Sequence, residues 1–202
     1  HVHEQIGLSF ATILRNILRQ DPDIIMIGEI RDKETADIAI RASLTGHLVL
    51  ATLHTNDSVS AITRLVDMGV EDYLVNSSLI GVVAQRLVRR VCPHCKTDSV
   101  IDKSIFNQLN IPEIQIKFGI KDFSFKKGKG CEMCANTGYR GRVGIFEILE
   151  FTDDLKNELS ESKEYEHLKS ILMERNFKTL REDAVLKWLK GITTSSEVFR
   201  VT

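Results

Sequence analysis

The chain has 202 residues, of which 43% are hydrophobic and 27% are charged, a composition typical of a globular protein. Its formal net charge of -1 gives no basic bias of the kind that nucleic-acid-binding domains carry. No apolar run approaches the roughly 20 residues of a transmembrane helix, and no secretory leader is visible. Because a periodic apolar segment begins almost at the first residue, which is not Met, we expect a piece of a longer protein.

The first 46 residues predict a helix, a strand and a second helix. The apolar spacing from Leu8 to Gln20 is typical of a half-buried helix, and an Asp-Pro-Asp sequence ends it. An apolar run from Ile24 to Ile30, broken only by a glycine and a glutamate, is typical of a parallel strand covered on both faces. Asp32 is the predicted N-cap of the next helix, which stops at Gly46.

A second strand is predicted from His47 to Leu53, followed by a helix that Asp57 caps and Gly69 ends. A further helix is predicted from Glu71 to about Arg90. Strands that alternate with helices at this spacing predict an α/β fold with a parallel sheet, which we assign to residues 1–90.

The composition changes near Cys92. Residues 91–140 hold the cysteines, many lysines and several glycines, with too few apolar residues for a core of their own. Residues 141–202 are predicted to be mostly helical after an initial strand. The predicted helices are 153–161, 163–175, 179–190 and a short last helix that begins with a capping box from Thr194 to Glu197.

The four cysteines fall in two C-x-x-C pairs, Cys92 with Cys95 and Cys131 with Cys134. Two such turns facing each other make a tetrahedral, structural zinc site. A redox dithiol and four free buried thiols are the rival interpretations, and the complete pairing in a core-poor loop favours zinc in a reducing cytoplasm. His94 lies inside the first pair, and we interpret it as a bystander. Basic residues nearby could offset the charge of four thiolates: Arg89, Arg90, Lys96, Lys127 and Lys129.

Polar side chains lie where both predicted strands end. Glu29 ends the first strand, and His54 follows the second. Because α/β proteins bind ligands at the carboxyl ends of parallel strands, we expect the two side chains to project towards one edge. There an acid beside an imidazole can polarise a water or sense a phosphate. The alternative is a surface glutamate paired with Arg31 or Arg41, and the residues alone leave both interpretations open.

Three stretches are specific enough to indicate a family: "IIMIGEIRD" (24–32), "GHLVLATLHT" (46–55) and "CEMCANTGYRGRVGIFEIL" (131–149). With their flanks they resemble, over essentially the whole chain, the secretion ATPase superfamily that powers type II secretion and type IV pilus assembly. The resemblance implies the second part of a RecA-like, P-loop NTPase domain, then a tetracysteine metal subdomain and a helical C-terminal subdomain. The first stretch resembles the Walker B region, with Glu29 activating the attacking water. The second resembles the histidine box, with His54 near the γ-phosphate.

The resemblance also implies cofactors and partners. Such proteins bind ATP with Mg²⁺ and work as cytoplasmic homo-hexamers, peripheral at the bacterial inner membrane, with the inner-membrane platform and cytoplasmic components of the machine as partners. Retraction motors of the superfamily generally lack the tetracysteine element, so its presence favours a secretion or pilus-assembly motor. The basic loop between the cysteine pairs suggests a further contact with anionic phospholipid.

One motif of such NTPases is missing from the sequence. The phosphates are held by G-x-x-x-x-G-K-[ST], whereas the one Gly-Lys here, Gly128-Lys129, is followed by glycine. In the family this loop lies upstream, so we expect the 202-residue chain alone to be inactive. The alternative function is a non-catalytic, zinc-stabilised interaction module, and the neutral charge disfavours a nucleic-acid-binding zinc ribbon.

Overall fold

The structure is a computed structural model that describes residues 9–161 and 165–202, without the side chains of residues 159–161 and 165. Its contacts group the chain into two compact units, one of His1–Val82 with Leu149–Met173 and one of Val83–Ile148 with Glu174–Thr202. The three predicted segments 1–90, 91–140 and 141–202 stay a prediction. The predicted start of the first helix at Leu8 lies outside the described residues, as does the start of the helix predicted at 163.

In chain order the helices are α1 (Phe10–Ile17), α2 (Lys33–Leu44), α3 (Ser58–Asp67), α4 (Asp72–Ser78), α5 (Lys103–Gln108), α6 (Ile111–Phe118), α7 (Asp153–Glu161), α8 (Tyr165–Glu174), α9 (Leu180–Leu189) and α10 (Ser195–Val201). The strands are β1 (Ile24–Ile27), β2 (Leu48–Ala51), β3 (Gly81–Val91), β4 (Lys96–Asp98), β5 (Lys126–Gly128) and β6 (Tyr139–Glu150). They pair two by two: β1 with β2, β3 with β6, and β4 with β5.

In the first unit, β1 and β2 are parallel, with Ile24 opposite Leu48 and Ile27 opposite Ala51. Successive strand residues point to opposite faces, and α2 packs against β2. The prediction of a sheet covered on both faces is wrong for the described chain, because Ile24 is 61% exposed and Met26 79% exposed. The opposite face of the sheet, which carries Ile25 and Ile27, is buried.

The helix caps that precede α2 and α3 are those predicted from the sequence. The Asp32 side chain accepts a hydrogen bond of 2.8 Å from the Thr35 N–H, and Asp57 accepts one of 2.7 Å from the Ser60 N–H. These carboxylates satisfy backbone donors that the first turn of a helix leaves without partners. The caps therefore fix where the chain leaves each strand end and turns into the next helix.

The predicted helix from Glu71 to Arg90 is wrong beyond residue 78. α4 ends at Ser78, and the strand β3 begins at Gly81. Its first seven residues alternate between exposed and half-buried, which is the two-residue period of a strand. Three valines lie in β3 before its two consecutive arginines, and β-branched residues favour a strand that can pair, here with β6.

The core of the second unit centres on Trp188 of α9. Ile145 of β6, Val88 of β3 and Ile111 of α6 are buried in the same cluster. Phe125 lies 4.8 Å from Trp188 between ring centroids. Residues from the core-poor loop thus share a core with the C-terminal helices, which agrees with the expectation that the loop has none of its own.

Only half of the predicted capping box before α10 is present. Thr194 accepts a hydrogen bond of 3.4 Å from the Glu197 N–H. The Glu197 carboxylate binds Arg89 and Arg200, two guanidinium groups that form charge-assisted bonds with it. Within the two described ranges, no helix combines the length and apolar character needed to cross a membrane.

Candidate active site and metal centre

The ends of β1 and β2 bring Glu29 and His54 together. Pairing continues beyond the strands, because the Ile30 N–H donates to the Thr52 carbonyl over 3.0 Å and the Thr52 hydroxyl donates to the Gly28 carbonyl. These two contacts hold the segment around Glu29 beside the segment that leads to His54. The Nε2 atom of His54 lies 2.9 Å from Oε2 of Glu29, as expected from the shared sheet edge.

Arg31 forms an ion pair with the other carboxylate oxygen, Oε1 of Glu29. Both sequence interpretations of Glu29 therefore describe real contacts, one with an imidazole and one with Arg31. The hydrogen bond from Arg31 is the main reason why the pKa of Glu29 lies below its usual value, desolvation opposes it, and His54 lowers the pKa further. Glu29 is consequently a carboxylate at neutral pH.

The site is open to solvent. The Glu29 side chain is 29% exposed, whereas the side chains of His54 and Arg31 are 87% and 75% exposed. An ionised carboxylate in this setting can accept a proton or orient a water, and the imidazole beside it can donate a hydrogen bond to an anion. A cavity of about 100 Å³ in the same unit is lined by other residues, among them Val66, Val75 and Phe151.

The four cysteines form one cluster in the second unit, in which every sulfur lies within 4.8 Å of the others. The Sγ atoms are 3.9 Å apart for Cys92 with Cys131, 3.9 Å for Cys95 with Cys134, and 3.7 Å for Cys131 with Cys134. A tetrahedral ion with Zn–S bonds of about 2.3 Å requires sulfurs about 3.8 Å apart. These three separations are therefore close to those of a tetrahedral thiolate site for an ion of this size.

Metal binding requires thiolates, and the surroundings of the thiols act on their ionisation in opposite directions. Burial opposes ionisation of Cys134, but hydrogen bonds from the backbone N–H groups of Cys131 and Gly138 outweigh it and lower the pKa of Cys134 to about 6. Burial raises the pKa of Cys131 to about 11 and also raises the pKa of Cys95. His94 is exposed and does not belong to the cluster found among the described residues, in agreement with its interpretation as a bystander.

Sequence reasoning missed a set of contacts beside this cluster. Arg89, expected to offset the thiolate charge, instead binds the buried carboxylate of Glu197, which lies 108 residues along the chain. The Tyr139 hydroxyl reaches Thr194 over 2.8 Å. No local sequence pattern predicts contacts between residues so far apart in the chain. The one available signal is the glutamate in the first turn of a short capped helix, because a buried charge needs a partner.

The chain resembles known proteins along its whole length. It is 51% identical over 201 residues to the type IV pilus assembly ATPase PilB of Thermus thermophilus, a match that covers 100% of this chain and 22% of that protein. It is 46% identical over 205 residues to type II secretion system protein E of Pseudomonas aeruginosa, covering 100% of this chain and 39% of that protein. The chain thus spans well under half the length of these relatives.

A solved structure has a similar α/β fold. The crystal structure of the pilus retraction motor PilT with bound ADP superposes with a TM-score of 0.65 at 25% identity, covering 96% of this chain and 43% of that one. Residues 1–200 match the family described as type II/IV secretion system protein. The chain therefore belongs to the type II/IV secretion system protein family.

Proposed function

We propose that this chain is the C-terminal part of a motor ATPase that couples ATP hydrolysis to the assembly of a type II secretion pseudopilus or a type IV pilus. The names of the relatives at 51% and 46% identity support this function. The observation that carries the proposal is the Glu29–His54 contact of 2.9 Å at the ends of two parallel strands. This is the edge at which α/β proteins bind their ligands.

In this proposal ATP binds with Mg²⁺ at the strand ends. Glu29 orients and deprotonates the attacking water, and His54 lies near the γ-phosphate, where it reports the presence of that group. The ADP in the PilT structure supports a nucleotide at this fold. The phosphate loop comes from another part of the longer protein, so the 202-residue chain alone does not hydrolyse ATP.

The bare face of the β1–β2 sheet supports a fold in which this chain is one part of a RecA-like, P-loop domain. Ile24, Met26, Leu48 and Leu50 are all at least 40% exposed on these two strands. Apolar side chains grouped in this way normally lie under another layer of a domain. We assign that layer to the remainder of the longer protein.

We propose that Cys92, Cys95, Cys131 and Cys134 hold one structural Zn²⁺. Sulfur separations near those of a tetrahedral thiolate site support the assignment, and four protein ligands leave no open position for catalysis. Metal analysis of the purified, reduced protein should find about one zinc per chain. Folded protein that contains no metal would contradict the assignment.

The same proposal places the longer protein in the cytoplasm as a homo-hexamer, peripheral at the inner membrane. Its partners are the inner-membrane platform and the cytoplasmic components of the machine, with anionic phospholipid as a further contact of the basic loop. The division into residues 1–90, 91–140 and 141–202 belongs to this proposal.

Glu29→Gln in the full-length protein tests the function. The amide keeps the size of the side chain but cannot take a proton, so hydrolysis should fall by roughly 100-fold or more while ATP binding is retained. Glu34→Gln is the matched control, because Glu34 is an exposed carboxylate in the same unit that pairs with Arg15. An ATP hydrolysis rate unchanged in Glu29→Gln would contradict the catalytic assignment of Glu29.

A second candidate is a non-catalytic, zinc-stabilised interaction module. The absence of G-x-x-x-x-G-K-[ST] from the 202 residues favours it for the chain by itself. Calorimetry of this chain with Mg²⁺-ATP tests the module. Sub-micromolar binding would contradict the module, and no binding together with zinc-dependent folding would support it.

A further inference from the structure

The backbone N–H and carbonyl groups of Gly138 connect the two cysteine turns of the metal centre. Its N–H donates to Sγ of Cys134 over 3.3 Å, and its carbonyl accepts from the Cys92 N–H over 2.9 Å. Gly138 has a φ of +76°, and a Cβ atom there would lie 2.7 Å from the Gly128 carbonyl oxygen. The backbone at this point is therefore fixed by one turn of cysteines on either side and by Gly128.

The next residue, Tyr139, extends from the metal centre to the start of α10. Its hydroxyl lies 2.8 Å from Oγ1 of Thr194 and 3.3 Å from Oγ of Ser196. Thr194 is the N-cap of α10, so the tyrosine holds the residue that begins the helix. The Arg89 guanidinium lies over the Tyr139 ring, 4.1 Å from its centre, in a cation–π contact.

Arg89 in turn anchors the first turn of α10 through Glu197. The Arg89 N–H and side chain donate three hydrogen bonds of 2.8–2.9 Å to the Glu197 carboxylate, and Arg200 donates two more. Glu197 is completely buried. A buried carboxylate is stable only while such partners stay in place, so α10 depends on the position of β3 and of Tyr139.

We propose that the four-cysteine metal centre and the C-terminal helix α10 form one coupled element, in which bound metal fixes Gly138 and Tyr139 and thereby holds α10, and loss of metal releases it. The contacts form an unbroken path from Cys134 through Gly138, Tyr139 and Thr194 to Glu197. The inference rests on the proposed zinc site and is independent of ATP hydrolysis. Metal then controls whether the end of the chain is folded against β3.

Hydrogen exchange of the full-length protein, with Zn²⁺ bound and after chelation under reducing conditions, tests the coupling. Amides of residues 195–201 should exchange at least about tenfold faster without metal, whereas those of α9, residues 180–189, should change less than about twofold. Unchanged exchange in α10 after removal of the metal overturns the coupling. An equal rise in α9 also overturns it, because the whole unit would then have opened. Protein that purifies folded without metal overturns both this inference and the zinc assignment.

Tyr139→Phe tests the path without disturbing the ligands. Phenylalanine keeps the ring beneath Arg89 but loses the hydroxyl that reaches Thr194, so α10 should exchange roughly fivefold faster with zinc still bound. Tyr73→Phe is the control, because Tyr73 is exposed in the other unit. Exchange in Tyr139→Phe equal to that of the wild-type protein would contradict the path.

Coupling between two sites is reciprocal, so α10 must also strengthen metal binding. Glu197→Gln, which weakens the contacts with Arg89 and Arg200, should lower the Zn²⁺ affinity by roughly fivefold or more in competition with a chelating dye. The same change at Glu34 in the other unit should leave the affinity unchanged. An unchanged affinity in Glu197→Gln means that α10 and the metal centre are independent.

Discussion

Two carboxylates of this chain, Glu29 and Glu197, are both held by arginines but in opposite settings. Glu29 lies at an open strand end with an exposed arginine and an exposed histidine as partners. Glu197 is fully buried and accepts bonds from two arginines and a backbone N–H. An exposed ion pair contributes little to stability, whereas a buried one fails when a partner is removed. The first carboxylate is the one that we propose to act in catalysis, whereas the second holds α10 against β3.

The largest expected effect is the loss of the buried carboxylate. Glu197→Ala removes the buried acceptor of five hydrogen bonds from Arg89 and Arg200, so the free energy of unfolding should fall by about 3–4 kcal/mol. Trp188, the one tryptophan of the chain, lies in the same unit and reports urea unfolding by its fluorescence. Glu34→Ala, at an exposed pair, should change the free energy by less than about 1 kcal/mol. Equal effects of the two changes would remove the contrast between a buried and an exposed ion pair.

Acid should lower the free energy of unfolding of the second unit, because it protonates Glu197. Burial opposes ionisation of Glu197, but the hydrogen bonds from Arg200 and Arg89 lower its pKa from 4.5 to about 2. Because the pKa of Glu197 is lower in the folded state, the ionised carboxylate stabilises the fold above pH 4.5. This stabilisation, about 3 kcal/mol, is lost as the pH falls towards 2. Urea unfolding between pH 5 and pH 2 measures this loss. Glu197→Gln should lose less over the same range, and an identical pH dependence would rule out Glu197 as the source.

A smaller effect is expected where the backbone beside the metal centre approaches Gly128. Gly138→Ala combines a positive φ with a contact of 2.7 Å to the Gly128 carbonyl, so it should cost about 2–3 kcal/mol. Gly141 is the matched control, because its φ is +74° and a Cβ there meets nothing within 4 Å. Gly141→Ala should cost only about 1 kcal/mol in the same urea unfolding. Equal costs would mean that the close approach contributes nothing.

The smallest effect on stability is expected at the open strand end. Arg31→Gln removes the main cause of the lowered pKa of Glu29, so that pKa should rise towards its ordinary value. Carbon-13 NMR of the Glu29 carboxyl group during an acid titration measures the change, and the thermal unfolding midpoint should stay the same. Arg15→Gln, at the exposed pair with Glu34, is the control and should leave the Glu29 titration unaltered. A Glu29 pKa that does not rise would show that Arg31 is not its main partner.

Local signals in the sequence were sufficient for much of the fold. Asp32 and Asp57 were confirmed as caps because a short acidic side chain before an apolar periodic segment satisfies backbone donors wherever the helix lies. The contact between Glu29 and His54 followed from the order of two parallel strands. The helix predicted to Arg90 was wrong because an apolar stretch fits either period until a pairing partner, here β6, decides it.

The sequence by itself determined the family, the strand-end acid and imidazole, and the cysteine pairs, because each depends on residue type and short spacing. Only the tertiary structure decided that Glu197 binds Arg89 instead of closing a capping box, and that Tyr139 reaches Thr194. The first pair is separated by 108 positions in the sequence and the second by 55. Burial selects such partners, since a charge removed from water must bind whatever donor the packed chain places beside it.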